Sequence, residues 1–157
     1  MRITRASARH VDALVQLMTR SPLLRRYGMT PRRARAGLAE GLRERDLLLV
    51  AQEGRDVVGM AWVIITRALD RAAYLRLLLV AEDAQSRGAG AALLAEAERR
   101  ARRAGCRHFV FLVTADNRRA RGFYERHGYE RVGTLRGFVR SRIDEALYVK
   151  SWRASRR

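Results

Sequence analysis

Cysteine is nearly missing from these 157 residues, and Cys106 is the single example. One thiol excludes an internal disulfide and any multi-cysteine zinc site, and it suits a reducing cytoplasm. His10, His108 and His127 show no metal-ligand spacing, so no metal is expected. No apolar run is long enough to span a bilayer; Met60 to Ile65 is short and strand-like. Met1 to Arg5 lacks the apolar stretch of a secretory signal and reads as mature protein. A cytoplasmic protein with no membrane partner is therefore expected. Lysine is almost absent as well: Lys150 is the one exception among 33 basic residues, the rest being arginine.

What is present supports a folded enzyme-sized domain. Apolar residues make up 48% of the chain, enough for a sizeable core. With no repeat, low-complexity linker or internal boundary, residues 1–157 read as one domain. The formal net charge is +17. Arginine is spread over the whole chain rather than gathered in one tail, which reads as a compositional habit and not as a dedicated nucleic-acid face. Such a charge attracts an anionic cofactor and makes nonspecific polyanion binding expected, but no specific nucleic acid.

Periodicity and capping residues give the order β-α-α-β-β-β-α-β-α-β-β. Arg2 to Arg5 reads as a first strand. Ser7 can cap a helix with Val11, Leu14, Val15 and Met18 on its apolar face, ended by Ser21-Pro22. Thr30-Pro31 opens a second helix with the stripe Ala34, Leu38 and Leu42. Runs at 46–51 and 57–66 flank Glu53-Gly54-Arg55-Asp56 as a β-hairpin. Strands are expected at 74–80, 109–115, 129–134 and 146–152. Helices are expected at 89–104, stopped by Gly105, and at 118–127, stopped by Gly128.

The chemistry centres on Gln85-Ser86-Arg87-Gly88-Ala89-Gly90-Ala91, where a strand ends and a helix begins at small residues. The first turn of a helix leaves backbone N–H groups without partners, and with the helix dipole these form an anion site. Two glycines allow close approach of a diphosphate, and Arg87 adds charge. The loop is no P-loop, because Gly-x-x-x-x-Gly-Lys-Ser/Thr is absent. It is no dinucleotide fingerprint either, because Leu93 stands where a third glycine is needed.

The loop does match Gln/Arg-x-x-Gly-x-Gly/Ala, through Gln85, Gly88 and Gly90. Downstream, Asn117, Ala120, Phe123, Tyr124, Gly128 and Tyr129 match Asn-x-x-Ala-x-x-Phe-Tyr-x-x-x-Gly-Tyr/Phe. With both motifs at the expected distance, the chain resembles the Gcn5-related N-acetyltransferases over nearly its whole length. The resemblance implies a mixed α/β fold, with a mostly antiparallel sheet of about seven strands and about four helices. It also implies a splayed strand pair holding acetyl-CoA. It places Leu78, Leu79 and Val80 beside the pantetheine arm through their backbone groups. Gln85, Ser86, Arg87, Gly88, Ala89, Gly90 and Ala91 fall at the pyrophosphate, and Asn117 near the pantetheine or as a helix cap. Tyr124 is implied as the catalytic group that protonates the leaving thiolate, or as a core aromatic. Arg118, Arg119 and Arg121 fall near the 3′-phosphate of CoA or on a solvated face.

The acceptor side is thinner. The strands at 74–80 and 109–115 contain no carboxylate, so no general base is named. Tyr27, with Arg25, and the pair Asp144 and Glu145 are candidates for the acceptor pocket, the pair reading equally as a solvated turn before the last strand. His127 reads as a helix-end cation and Cys106 as no acyl carrier. The expected activity is transfer of acetyl from acetyl-CoA to a primary amine of a small molecule, peptide or protein. The rivals are a CoA-binding regulatory domain without turnover and a nucleic-acid-binding protein. The acceptor and the oligomeric state are not legible, a homodimer being one admissible assembly.

Overall fold

The computed structural model describes residues 1–152; residues 153–157 lie outside the described residues. In chain order the elements are β1 (Arg2–Arg5), α1 (Val11–Arg20), α2 (Pro22–Arg26), α3 (Pro31–Arg43), β2 (Leu47–Glu53) and β3 (Asp56–Ile65). There follow α4 (Ala68–Arg71), β4 (Ala72–Val80), α5 (Ala89–Arg103), β5 (His108–Thr114), α6 (Arg118–Arg126), β6 (Glu130–Arg140) and β7 (Ile143–Ser151). Short 3-10 turns at Ala8–His10 and Glu82–Ala84 precede α1 and α5. The seven strands lie in the order β1-β2-β3-β4-β5-β7-β6. The β1/β2, β2/β3, β5/β7 and β6/β7 pairs are antiparallel, and β4/β5 is parallel. The mixed, mostly antiparallel sheet expected from the sequence is present. Among the described residues helices number six rather than about four, because α2 and α4 carry no periodic signal long enough to read. Among the described residues no helix is long and apolar enough to cross a membrane.

The chain divides into two compact units. One comprises Met1–Ile64 with Leu77–Arg100, the other Ile65–Arg76 with the described residues from Ala101 onward. In the first unit Leu14, Met18, Ala34, Leu38, Leu48, Val50, Met60 and Trp62 form a closed core. Helix starts follow the capping rules: Thr30 Oγ1 accepts from Arg33 N at 3.2 Å, and Ser21 Oγ accepts from Leu24 N at 3.3 Å. Ser21-Pro22 therefore ends α1 and also opens α2. Ser7 caps the 3-10 turn before α1 rather than α1 itself.

Two glycines of α3 face the same indole with opposite consequences. A Cβ on Gly37 would sit 3.5 Å from Trp62, ordinary contact, whereas one on Gly41 would sit 2.6 Å from Trp62 Cζ2. The indole cannot swing aside freely, because its Nε1 donates to Asp46 Oδ2 at 2.8 Å. Overpacking costs about 1–3 kcal/mol, against about 1 kcal/mol gained when alanine replaces helical glycine. In urea unfolding, Gly37→Ala should stabilise the protein and Gly41→Ala should destabilise it. Equal shifts in the two would mean that Trp62 moves without cost.

His10 is buried, and its Nδ1 accepts from Ser7 N at 3.0 Å, closing the turn that leads into α1. Burial first, and the charge of Arg9 second, push its pKa below 6.5. The neutral ring is thus favoured by folding. Its contribution is complete above the unfolded value of about 6.5 and is lost as pH falls below it. Melting temperature should drop between pH 7.5 and 5.5, and this drop should shrink in His10→Gln.

In the second unit Phe109, Phe111, Tyr124, Tyr129 and Tyr148 make the core, with ring centroids 4.2 to 6.5 Å apart. Segment α4 is left-handed: Leu69, Asp70 and Arg71 have φ of 51°, 55° and 63°, a conformation that costs non-glycine residues about 1–2 kcal/mol each. Asp70 is tied there by Arg107 Nη1 at 3.0 Å. The one lysine, Lys150, donates to His127 O at 3.0 Å and lies 5.1 Å from the Tyr129 ring centroid.

Candidate active site

In the first unit, β4 ends at Val80 and the chain turns over the 3-10 segment into α5. Ala81 N donates to Val58 O at 2.9 Å, which fixes the strand end against β3. Gly59 makes that packing possible, since a Cβ there would lie 3.0 Å from both Leu79 O and Leu93 Cδ1. Gln85 Nε2 donates to Val80 O at 3.2 Å, so this side chain braces the loop on the strand it leaves. Ser86 and Gly88 adopt φ of 66° and 84°, the left-handed turns that aim the chain into α5. Gly88 O accepts from Ala92 N at 3.0 Å, which makes Gly88 the residue that starts the helix. A Cβ on Gly88 would meet nothing within 4 Å, so the space over it is open. Arg87 Nη1 lies 3.5 Å from Glu53 Oε2 with both side chains exposed. The N–H groups of Ala89, Gly90 and Ala91 fall in the first turn, where helical geometry supplies no acceptor. A diphosphate fits this arrangement: open space, first-turn donors and a guanidinium at the lip.

In the second unit, Asn117 Oδ1 accepts from Ala120 N at 3.1 Å and caps α6. The Tyr124 ring is packed on Phe111, Phe123 and Tyr129 and is 7% exposed. Its hydroxyl has no hydrogen-bond partner among the described residues. Burial pushes the phenol far above its ordinary value of 10.0, so it keeps its proton. Neighbouring Tyr148 is used differently: its hydroxyl donates to Glu125 Oε1 at 2.7 Å and accepts from Arg121 Nε at 3.3 Å. Arg121 Nη1 also donates to Ala115 O at 3.0 Å. Arg121 is therefore a brace between α6 and the end of β5, neither a solvated side chain nor one reaching outward for a phosphate.

The acceptor candidates separate. Tyr27 is half-buried at the end of α2, where its N–H closes the helix, and Arg25 is exposed. Asp144 is exposed, and its Oδ1 accepts from Gly137 N at 3.0 Å. Glu145 is 3% exposed. Both belong to β7, which starts at Ile143, so the reading of Glu145 as part of a solvated turn is overturned. Consecutive strand residues point to opposite faces, which sends one carboxylate to solvent and the other inward. His127 Nδ1 donates to Phe123 O at 2.7 Å at the end of α6. Cys106 is buried and burial raises its thiol, which makes it a poor nucleophile. Sequence reasoning missed Tyr74. It is half-buried on β4, raised mainly by burial, and sits within the electrostatic reach of Arg76 and Glu145. Its leucine-rich surroundings hide it as core.

The model of the acetyltransferase (GNAT) family matches residues 12–129. No curated protein compared with the chain matches it. Solved structures do. The ribosomal-protein-alanine N-acetyltransferase from Brucella melitensis is 23% identical with a TM-score of 0.78, the alignment covering 97% of this chain and all of that one (100%). An aminoglycoside 6′-N-acetyltransferase complexed with coenzyme A is 16% identical with a TM-score of 0.81, covering 96% and 97%. The PaiA N-acetyltransferase from Thermoplasma acidophilum, in complex with coenzyme A, is 17% identical with a TM-score of 0.77, covering 96% and 98%. At these identities the likeness is one of fold.

Proposed function

The chain belongs to the GNAT acetyltransferase family and is an N-acyltransferase; from that premise we propose that it moves acetyl from acetyl-CoA to a primary amine of a small molecule, peptide or protein. The observation that carries the reading is the loop at 85–91, where left-handed Ser86 and Gly88 open α5 beneath empty space. Acetyl-CoA supplies the activated thioester. First-turn N–H groups of α5 and Arg87 bind its diphosphate, and the backbone of Leu78, Leu79 and Val80 lines the pantetheine arm. Asn117 keeps α6 in place, and Tyr124 of that helix offers a proton to the departing sulfur. No metal takes part, and no specific nucleic acid is a partner. The protein acts as a single domain in the cytoplasm.

Calorimetry with acetyl-CoA, followed by a thiol-release assay over a panel of primary amines, tests this. Binding and amine-dependent thiol release are expected. Absence of acetyl-CoA binding overturns the reading, and binding without release by any amine would favour a regulatory CoA-binding domain.

A further inference from the structure

At the tip of the β6/β7 hairpin the two strands fall out of step. Leu135 stands opposite Glu145 and Arg140 opposite Ile143, which leaves Arg136, Gly137, Phe138 and Val139 facing Asp144 alone. Four residues opposed by one must bow out of the ladder. The excursion is pinned. Gly137 has a φ of 53°, and its N–H donates to Asp144 Oδ1 at 3.0 Å. A Cβ on Gly137 would lie 2.8 Å from Ser141 O, so glycine alone fits that position. On the pinned bulge Phe138 is 66% and Val139 52% exposed. Adjacent apolar residues turned out together forfeit the stabilisation of burial, and such patches mark places where another body docks. Exposed Arg136 precedes the pair, and exposed Arg142 follows it in the turn. No acidic residue occurs between Arg131 and Ile143, and Asp144, the next one along, accepts from Gly137.

The chemistry of the bulge selects among partners. β6 is the last strand in the sheet order, the place where a strand of another chain would add. Register shifts between Arg131 and Gly133 and between Leu135 and Arg140 interrupt its ladder, and bulged edges resist strand addition. A second copy of the chain would also set guanidinium against guanidinium. A nucleic-acid backbone would pair with Arg136 and Arg142 but gives Val139 no apolar surface. An anionic bilayer supplies both parts: headgroup phosphates for the cations, and the acyl boundary for Phe138 and Val139. We propose that the bulge at 136–139 is a membrane-contact site. Phe138 and Val139 enter the interface of an anionic lipid surface, and Arg136 and Arg142 sit on its phosphates. A contact of this kind needs no spanning segment, so the expectation of no membrane partner, drawn from the lack of a long apolar run, does not reach it. Two side chains and two cations make a reversible attachment that salt weakens. The inference goes beyond the acetyltransferase reading and does not rest on it.

The test is co-sedimentation of the full chain with vesicles of phosphatidylcholine, alone or mixed in equal parts with phosphatidylglycerol. Binding to the mixed vesicles and not to the neutral ones is expected. A chain of charge +17 also adsorbs by charge alone, so the apolar pair decides. Phe138→Ser with Val139→Ser should weaken binding to mixed vesicles about 10-fold or more, with the melting temperature unchanged. Arg136→Gln with Arg142→Gln should weaken it about 10-fold at low salt and less at high salt. A depth reading accompanies these. In Phe138→Trp, lipids brominated on their acyl chains should quench indole fluorescence beyond the quenching of Trp62 and Trp152 in the unaltered protein. No binding to mixed vesicles, equal binding by the wild type and the double serine variant, or no extra quenching overturns the proposal. Polyuridylate binding that falls in the double serine variant while vesicle binding does not also overturns it, and makes the bulge a base-stacking site. No readout uses acetyl-CoA, so this proposal and the acetyltransferase reading fail separately.

Discussion

Gly90→Trp is expected to abolish measurable acetyl-CoA binding in a protein that still folds. Gly90 is the second residue of α5 and is half-buried. An indole there would stand in the space where a diphosphate must come within hydrogen-bond distance of first-turn N–H groups. Each charge-assisted bond of this kind contributes about 1.5–3 kcal/mol. Losing two of them weakens binding by at least about 10²-fold. The helix should survive, because the residues that anchor it, Leu93, Leu94 and Ala97, are buried further along. Calorimetry with acetyl-CoA, beside a melting curve, reads both effects. Unchanged affinity in the folded variant would move the diphosphate elsewhere. Gly88 is less informative for this purpose: its φ of 84° strains any replacement whatever the ligand does.

Tyr124→Phe should lower turnover by roughly 10²-fold, at the modest end of positioned acids, with little change in acetyl-CoA affinity. The reason for the modest size lies in the ring's surroundings. Burial among Phe111, Phe123 and Tyr129 holds the phenol far above its ordinary pKa. Full proton transfer to a thiolate, whose own pKa is about 8.5, is then uphill. The hydroxyl works best as a hydrogen-bond donor to charge developing on sulfur, and no alkaline limb from Tyr124 should appear below pH of about 10. Because the hydroxyl has no partner among the described residues, phenylalanine keeps the packing and should keep the melting temperature. Steady-state kinetics decides: wild-type turnover in Tyr124→Phe would reduce this residue to a core aromatic.

The elements that carry the fold were legible where local chemistry is strong. Thr30-Pro31 marks a helix start because a hydroxyl cap and a fixed φ act within one turn. The 85–91 loop is visible because small residues and a left-handed glycine are needed wherever a strand turns abruptly into a helix. Less local features were hidden. Five-residue α2 is too short for periodicity, and α4 is left-handed at residues with no intrinsic preference for it, so tertiary contacts such as Arg107 on Asp70 must hold it. Arg121 looks like a surface cation in sequence. Only the fold puts the carbonyl of Ala115 and the hydroxyl of Tyr148 in its reach. The solvated-turn alternative for Glu145 fails for a related reason. Its burial depends on a strand that begins three residues earlier than the apolar run suggests, and on which face that register gives it.

The near-total use of arginine has a consequence for the chemistry this protein would face in its own working solution. Acyl thioesters modify exposed primary amines without help, and lysine side chains are the usual casualties. Here the single ε-ammonium is engaged by the carbonyl that ends α6 and covered by an aromatic ring. Guanidinium groups supply the rest of the positive charge while staying protonated and inert toward such donors. Self-acylation of side chains is thus nearly foreclosed by composition, and amine-directed mass labelling of a reaction mixture would report on the acceptor with almost no background from the enzyme.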